Sequence, residues 1–96
     1  MKGTFNFTLD GLRIADLHGI TAAEVWQVLH AEQRVIRAVG ELSRVIVAAT
    51  AAGRYLAVMV QEDPIDAEDE TWDIVAAREL PAADVPTYER MLRRRP

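Results

Sequence analysis

The chain has no cysteine, which excludes disulfides, thiolate metal sites and a thiol nucleophile. It has almost no lysine either: ten of its eleven basic residues are arginine, and Lys2 is the exception. Its two histidines, His18 and His30, lack the spacing of a metal-ligand pair. No P-loop, dinucleotide glycine fingerprint, HExxH or nucleophile elbow is present. No metal or other cofactor is therefore expected. Long hydrophobic runs are missing as well. The most apolar stretch, 45–60, is broken by Gly53 and Arg54, so it is too interrupted to span a membrane. Residues 1–9 alternate and lack the apolar region of a signal peptide. The expectation is a soluble, cytoplasmic protein.

What is there suits one domain: 96 residues, half of them hydrophobic, are enough for one core. The formal net charge is −4, but it is segregated. Six acids (Glu62, Asp63, Asp66, Glu68, Asp69 and Glu70) fall within nine residues, and without them the charge becomes +2. A mildly basic body carries one acidic loop. Arginine forks bind phosphate and carboxylate with defined geometry, although codon bias in a GC-rich genome explains the arginine excess better.

Residues 4–9 alternate, with Phe5, Phe7 and Leu9 on one face, which predicts a half-buried strand. Asp10 is the expected cap of a helix to Leu17, with Gly19 at its stop. Thr21 and Glu24 form a capping box, and Ile20 and Val25 occupy the positions of a hydrophobic staple, so a helix is predicted over 22–32. Its buried face is expected to hold Ala22, Val25, Trp26 and Leu29. Strands follow at 34–39, 43–50, 54–61 and 71–78. The second and third are joined by Ala51-Ala52-Gly53, with Gly53 at a positive-φ position, and both are apolar on two faces, as central strands are. Trp72, Ile74, Ala76 and Arg78 are expected to share one face of the last strand. A closing helix is predicted over 82–93, with Val85, Tyr88 and Leu92 inward. Pro86 is tolerated only if it lies in the first turn, which places the true start near Asp84. The architecture is α+β: a strand and two helices, a four-stranded antiparallel meander, and a helix.

The candidates for chemistry are arginines at strand ends. Arg44 opens one central strand, Arg54 opens its partner and Arg78 closes the last. If the last two strands pair, Arg54 and Arg78 meet at one sheet end, where together they can bind a phosphate and stabilise a dianionic phosphorane. Each can instead pair with an acid or be solvated. His18 stands at a helix end, where it can cap the helix or move a proton near neutral pH. Glu79 is a second proton-transfer candidate. Tyr88 is expected in the core, with its hydroxyl within reach of the sheet rim. Arg90, Arg93, Arg94 and Arg95 make a basic patch suited to RNA backbone or to the acidic loop.

Several stretches, in order along nearly the whole chain, resemble a known family. They are His18-Gly19-Ile20-Thr21 with Glu24-Val25; Arg44-Val45-Ile46 with Gly53-Arg54-Tyr55-Leu56; Ile74-Val75-Ala76-Ala77-Arg78; and Tyr88-Glu89. Together they resemble the BrnT-like toxins of type II toxin–antitoxin systems, a family with a RelE-like fold. The family's usual F-x-W-D strand end is replaced here by Phe5-Asn6-Phe7, and Leu17 stands where a lysine usually precedes the histidine. The resemblance implies metal-independent RNA cleavage and carries over best at Arg78, then Arg54 and Arg44, then His18, whereas Glu79 after Arg78 and Pro86 in the last helix depart from the family pattern. The catalytic set expected is Arg78, Arg54, His18 and Glu79, with Arg44 and, from the basic patch, Arg90, Arg93 and Arg94 as RNA contacts. The resemblance also implies an antitoxin partner, often a ribbon–helix–helix protein. The alternative is an inactive toxin-fold protein that acts as a protein-binding module, motivated by the net negative charge. A homodimer through an exposed sheet edge is a further possibility.

Overall fold

The computed structural model describes residues 4–63 and 70–93. The middle of the acidic segment, residues 64–69, and Arg94 with Arg95 lie outside the described residues.

The first element is shorter than the alternation predicts. Strand β1 covers Thr4–Phe7, and Thr8 rather than Asp10 caps helix α1 (Leu9–Leu17). The Thr8 hydroxyl has two partners. It accepts from the Gly11 N–H at 2.9 Å and donates to the Ile74 carbonyl at 2.8 Å. It therefore satisfies one of the orphan donors of the helix and ties α1 to a distant strand. Leu9 is thereby drawn into the helix, 73% exposed. The capping box of Thr21 and Glu24 forms as expected and opens helix α2 (Ala22–Leu29). Its inward stripe is Val25, Val28 and Leu29, all fully buried, at the i, i+3, i+4 spacing of one helix face. Burying side chains of this size contributes about 1.5–3 kcal/mol each. Trp26, expected in that stripe, sits at its shoulder and is 47% exposed.

Strands β2 (Val35–Val39), β3 (Ser43–Ala49), β4 (Tyr55–Glu62) and β5 (Thr71–Glu79) form the antiparallel meander. Gly53, at φ +85°, supplies the left-handed position of the β3–β4 turn. β1 then adds to the outer edge of β5 in parallel, giving the order β1-β5-β4-β3-β2. β1 ends opposite Ile74, and α1 packs along β5. This approach depends on Gly11, where a Cβ would stand 2.1 Å from the Ile74 carbonyl oxygen.

One sheet face carries Ile46, Ala48, Leu56, Val58, Val60, Ile74 and Ala77, packed against α1 and α2. The other carries Val35, Val47 and Ala57, packed with Leu80 and Leu92. A 3-10 turn (Ala82–Asp84) precedes α3 (Val85–Arg93), so Pro86 falls in the first turn, where its missing N–H costs nothing. Val85, Tyr88 and Leu92 make the inward stripe of α3.

β5 departs from simple alternation. Val60 pairs with Ile74 but Met59 pairs with Ala76, which leaves Val75 as a bulge. An extra residue in one strand exchanges the faces of everything beyond it. Ile74 accordingly points into the α1/α2 core, while Ala76 and Arg78 lie on the opposite face, contrary to the expectation that they share one.

Candidate functional site

Three cross-strand rows can be read from the register on the face shared with α3. The upper is Val35, Val47, Ala57, Arg78; the middle is Arg37, Val45, Met59, Ala76; the lower is Val39, Ser43, Gln61, Asp73. Leu80 and helix α3 cover the upper row at Val35, Val47 and Ala57, and Val45 of the middle row packs against the edge of that cluster, which leaves the middle row open at Met59. At the β5 side the end of α1 contributes Ile14 and His18. Between them is an open cavity of about 400 Å³ lined by Ile14, His18, Val45, Ala57, Met59, Ala76, Ala77 and Arg78. Its floor is apolar, and its polar groups are His18 and Arg78.

His18 is the C-cap of α1, its backbone N–H bonded to the Ile14 and Ala15 carbonyls, and its ring is left at the cavity rim. Arg78 reaches the same cavity because of the Val75 bulge. Among the described residues its guanidinium has no hydrogen bond or ion pair. A guanidinium with no carboxylate partner among the described residues, in one cavity with an imidazole and above an apolar floor, can hold an anion near a group that moves protons.

Arg54 and Glu79 do not join them. Adjacent residues of a strand face opposite sides, so Glu79, opposite Leu56, points away from Arg78, opposite Ala57. Arg54 donates from Nε to Glu79 Oε2 at 2.9 Å and from Nη1 to Glu24 Oε2 at 3.2 Å and to the Gly19 carbonyl at 3.1 Å. The expected meeting of Arg54 with Arg78 is replaced by a clamp that fastens the α1–α2 junction to β4 and β5. Its other anchor is the capping box: Glu24 Oε1 accepts from the Thr21 N–H at 3.0 Å while Oε2 takes Arg54. The Thr21 backbone hydrogen bond, and after it Arg54, hold the Glu24 carboxyl below its ordinary value of 4.5. Glu79 and then Glu24 raise Arg54 above an already high value. A guanidinium neutralised by two carboxylates offers little charge to a phosphate.

The remaining arginines separate in the same way. Arg44 lies on the core side, its guanidinium 5.6 Å from the Trp72 ring centre and Nη1 donating to the Ser43 carbonyl at 2.8 Å. Arg93 pairs with Glu89 at 3.4 Å. Arg90 is exposed on α3. Arg34 donates to the Leu29 carbonyl. Arg37 was not a sequence candidate, yet it continues the open middle row, and its Nη1 donates to the Tyr88 hydroxyl at 3.2 Å. The signal that finds it is the hairpin register: with the turn at Gly40, Val35, Arg37 and Val39 alternate onto one face.

Trp26, stacked on Phe7 with ring centres 6.4 Å apart and tilted against His30 at 4.3 Å, forms an aromatic cluster beside the edge strand β1. No group of three or more His, Asp or Glu among the described residues is placed to hold a metal ion. No helix among them is long and apolar enough to cross a membrane. Comparison with protein-family models, curated proteins and solved structures finds no match for this chain.

Proposed function

We propose that this protein is a metal-independent endoribonuclease of the toxin type, acting in the cytoplasm and held in check by a cognate antitoxin. The observation that carries the reading is that His18 and Arg78 line one open cavity although 60 positions separate them in sequence. The family resemblance of the His18–Val25 and Ile74–Arg78 segments adds to it. RNA carries its own nucleophile, so cleavage requires positioning, a proton acceptor and charge stabilisation. His18 takes the proton from a 2′-hydroxyl. The 2′-oxygen attacks the adjacent phosphorus, and Arg78 stabilises the charge that builds on the equatorial oxygens. The P–O5′ bond breaks, the 5′-oxygen takes a proton from solvent, and a 2′,3′-cyclic phosphate remains.

The test is incubation of labelled single-stranded RNA with the protein in chelator, beside Arg78→Ala and His18→Ala. Cleavage by the parent to a cyclic phosphate, lost in both variants while both melt like the parent, is the expected result. Retained cleavage in a folded Arg78→Ala variant would sink the assignment.

A second reading has its own observation. The Trp26–Phe7–His30 cluster and the exposed Leu9 lie near the unpaired edge of β1, a surface suited to a protein partner, whether an antitoxin or a second copy. A protein that binds an antitoxin but leaves RNA intact, with and without ribosomes, fits this reading instead.

A further inference from the structure

We infer that the open sheet face takes RNA as a single strand: Arg37 holds a second phosphate on the bank opposite Arg78, and an unpaired base lies on Val45 and Met59 between them. The inference rests on the ribonuclease reading and assigns its substrate form and a binding residue which that reading does not use.

The middle row runs Arg37, Val45, Met59, Ala76 across four adjacent strands. At about 4.8 Å per strand, Arg37 and Ala76 stand about 14 Å apart along the row, a span of a few nucleotides. One bank is Arg78 with His18. The other is Arg37 with Tyr88, which α3 brings over the sheet. Among the described residues neither Arg37 nor Arg78 has a carboxylate partner, whereas Arg13, Arg54 and Arg93 each do. Two guanidiniums that no described carboxylate neutralises therefore flank an apolar floor in which Met59 is 36% exposed. Asp73 sits in the row below on β5, on the far side of Ala76 from Arg78, and repels a phosphate there, which confines the backbone to the middle row and to Arg78.

The floor decides between strand forms. A base within a duplex is stacked on both faces, and the deep major groove of A-form RNA admits no side chains. Only an unstacked base can cover Val45 and Met59 while phosphates on either side of it along the strand reach the banks. The Tyr88 hydroxyl accepts from Arg37 and so holds the guanidinium on the α3 side of the row, which makes Tyr88 a positioning residue.

The experiment measures binding of the full chain to a fluorescent, uncleavable 2′-O-methyl oligonucleotide, single-stranded and as a duplex, across a salt series, with thermal melts of every variant. The single strand is expected to bind at least about tenfold tighter than the duplex. Arg37→Ala is expected to weaken it about tenfold and to lower the slope of log affinity against log salt by about 0.7, one single-strand phosphate contact. Arg37→Lys should restore the slope. Met59→Ser should weaken binding with the slope unchanged. An Arg37→Ala variant that binds with the parent's affinity and slope, or a duplex that binds as tightly as the single strand, overturns the inference while leaving the roles of His18 and Arg78 standing. A parent protein that neither binds nor cleaves RNA at low salt overturns both.

Discussion

Arg78 and Glu79 are neighbours in β5 and serve opposite faces of the sheet. Arg78, across from Ala57, lines the open cavity, and Glu79, across from Leu56, takes Arg54 on the other side. The pair separates activity from architecture. Arg78→Ala is expected to lower kcat by about 10²–10³, the usual loss when one charge-stabilising donor is removed, and to leave the melting temperature unchanged. Glu79→Gln should do the reverse, lowering the melting temperature and sparing the rate. Parallel cleavage assays and thermal melts check both. A Glu79→Gln protein with parent stability and no activity would return Glu79 to the catalytic set.

Gly11→Ala pits helix propensity against packing. Alanine is the better helix former by about 1 kcal/mol. Here, however, the new methyl meets a backbone carbonyl, that of Ile74, 2.1 Å away, and backbone cannot swing aside. Overpacking of this kind costs about 1–3 kcal/mol, and α1 must lift off β5 to relieve it. The urea midpoint should fall. If it rises, the close approach of α1 is not as described.

Glu24 makes stability depend on acid. Its carboxyl is held below 4.5 by the Thr21 backbone hydrogen bond first and by Arg54 after it. A lowered folded value means that the stabilisation is complete at neutral pH and is lost as pH falls below 4.5 through that lowered value. Denaturation curves collected from pH 7 to pH 3 should show a steeper loss for the parent than for Glu24→Gln. Parallel curves would mean that the clamp contributes nothing.

Leu29 closes α2 over the sheet and is fully buried. Leu29→Ala should cost about 2–5 kcal/mol, the sum of lost transfer energy and a cavity. The denaturant midpoint should drop with an unchanged slope.

Much of this was legible in the sequence because it is local. The Thr21–Glu24 box, the double-faced apolar runs of β3 and β4, the Gly53 turn and the placement of Pro86 each follow from a few adjacent residues. Thr8 and Asp10 are both good caps, so adjacent residues do not choose between them; what decides for Thr8 is its second hydrogen bond, to Ile74, 66 residues away. Trp26 looked like core because helical spacing alone does not tell the centre of an apolar stripe from its shoulder. The candidate site was half legible. His18 and Arg78 were found by residue type, but the alternation of Trp72, Ile74, Ala76 and Arg78 carries no mark of the Val75 bulge. Without that extra residue Arg78 would face the Arg54 side. Arg37 carries no local signal, because its place lies in a row across the sheet, which no single strand reveals.

The parallel seam between β1 and β5 has a consequence in time. Thr4 meets Thr71 across it, so the first strand described waits for the last before it has a neighbour. The hairpins of the meander can zip from their own turns, whereas this seam closes only after nearly seventy residues of chain have been drawn into a loop, an entropy cost met before any reward. Translation makes the wait physical: β1 leaves the ribosome with its edge bare and its place beside β5 not yet synthesised. Docking of α1 through Thr8 and Gly11 onto Ile74 belongs to the same late event. One wall of the cavity, the one that carries His18, is therefore among the last parts of the molecule to be assembled.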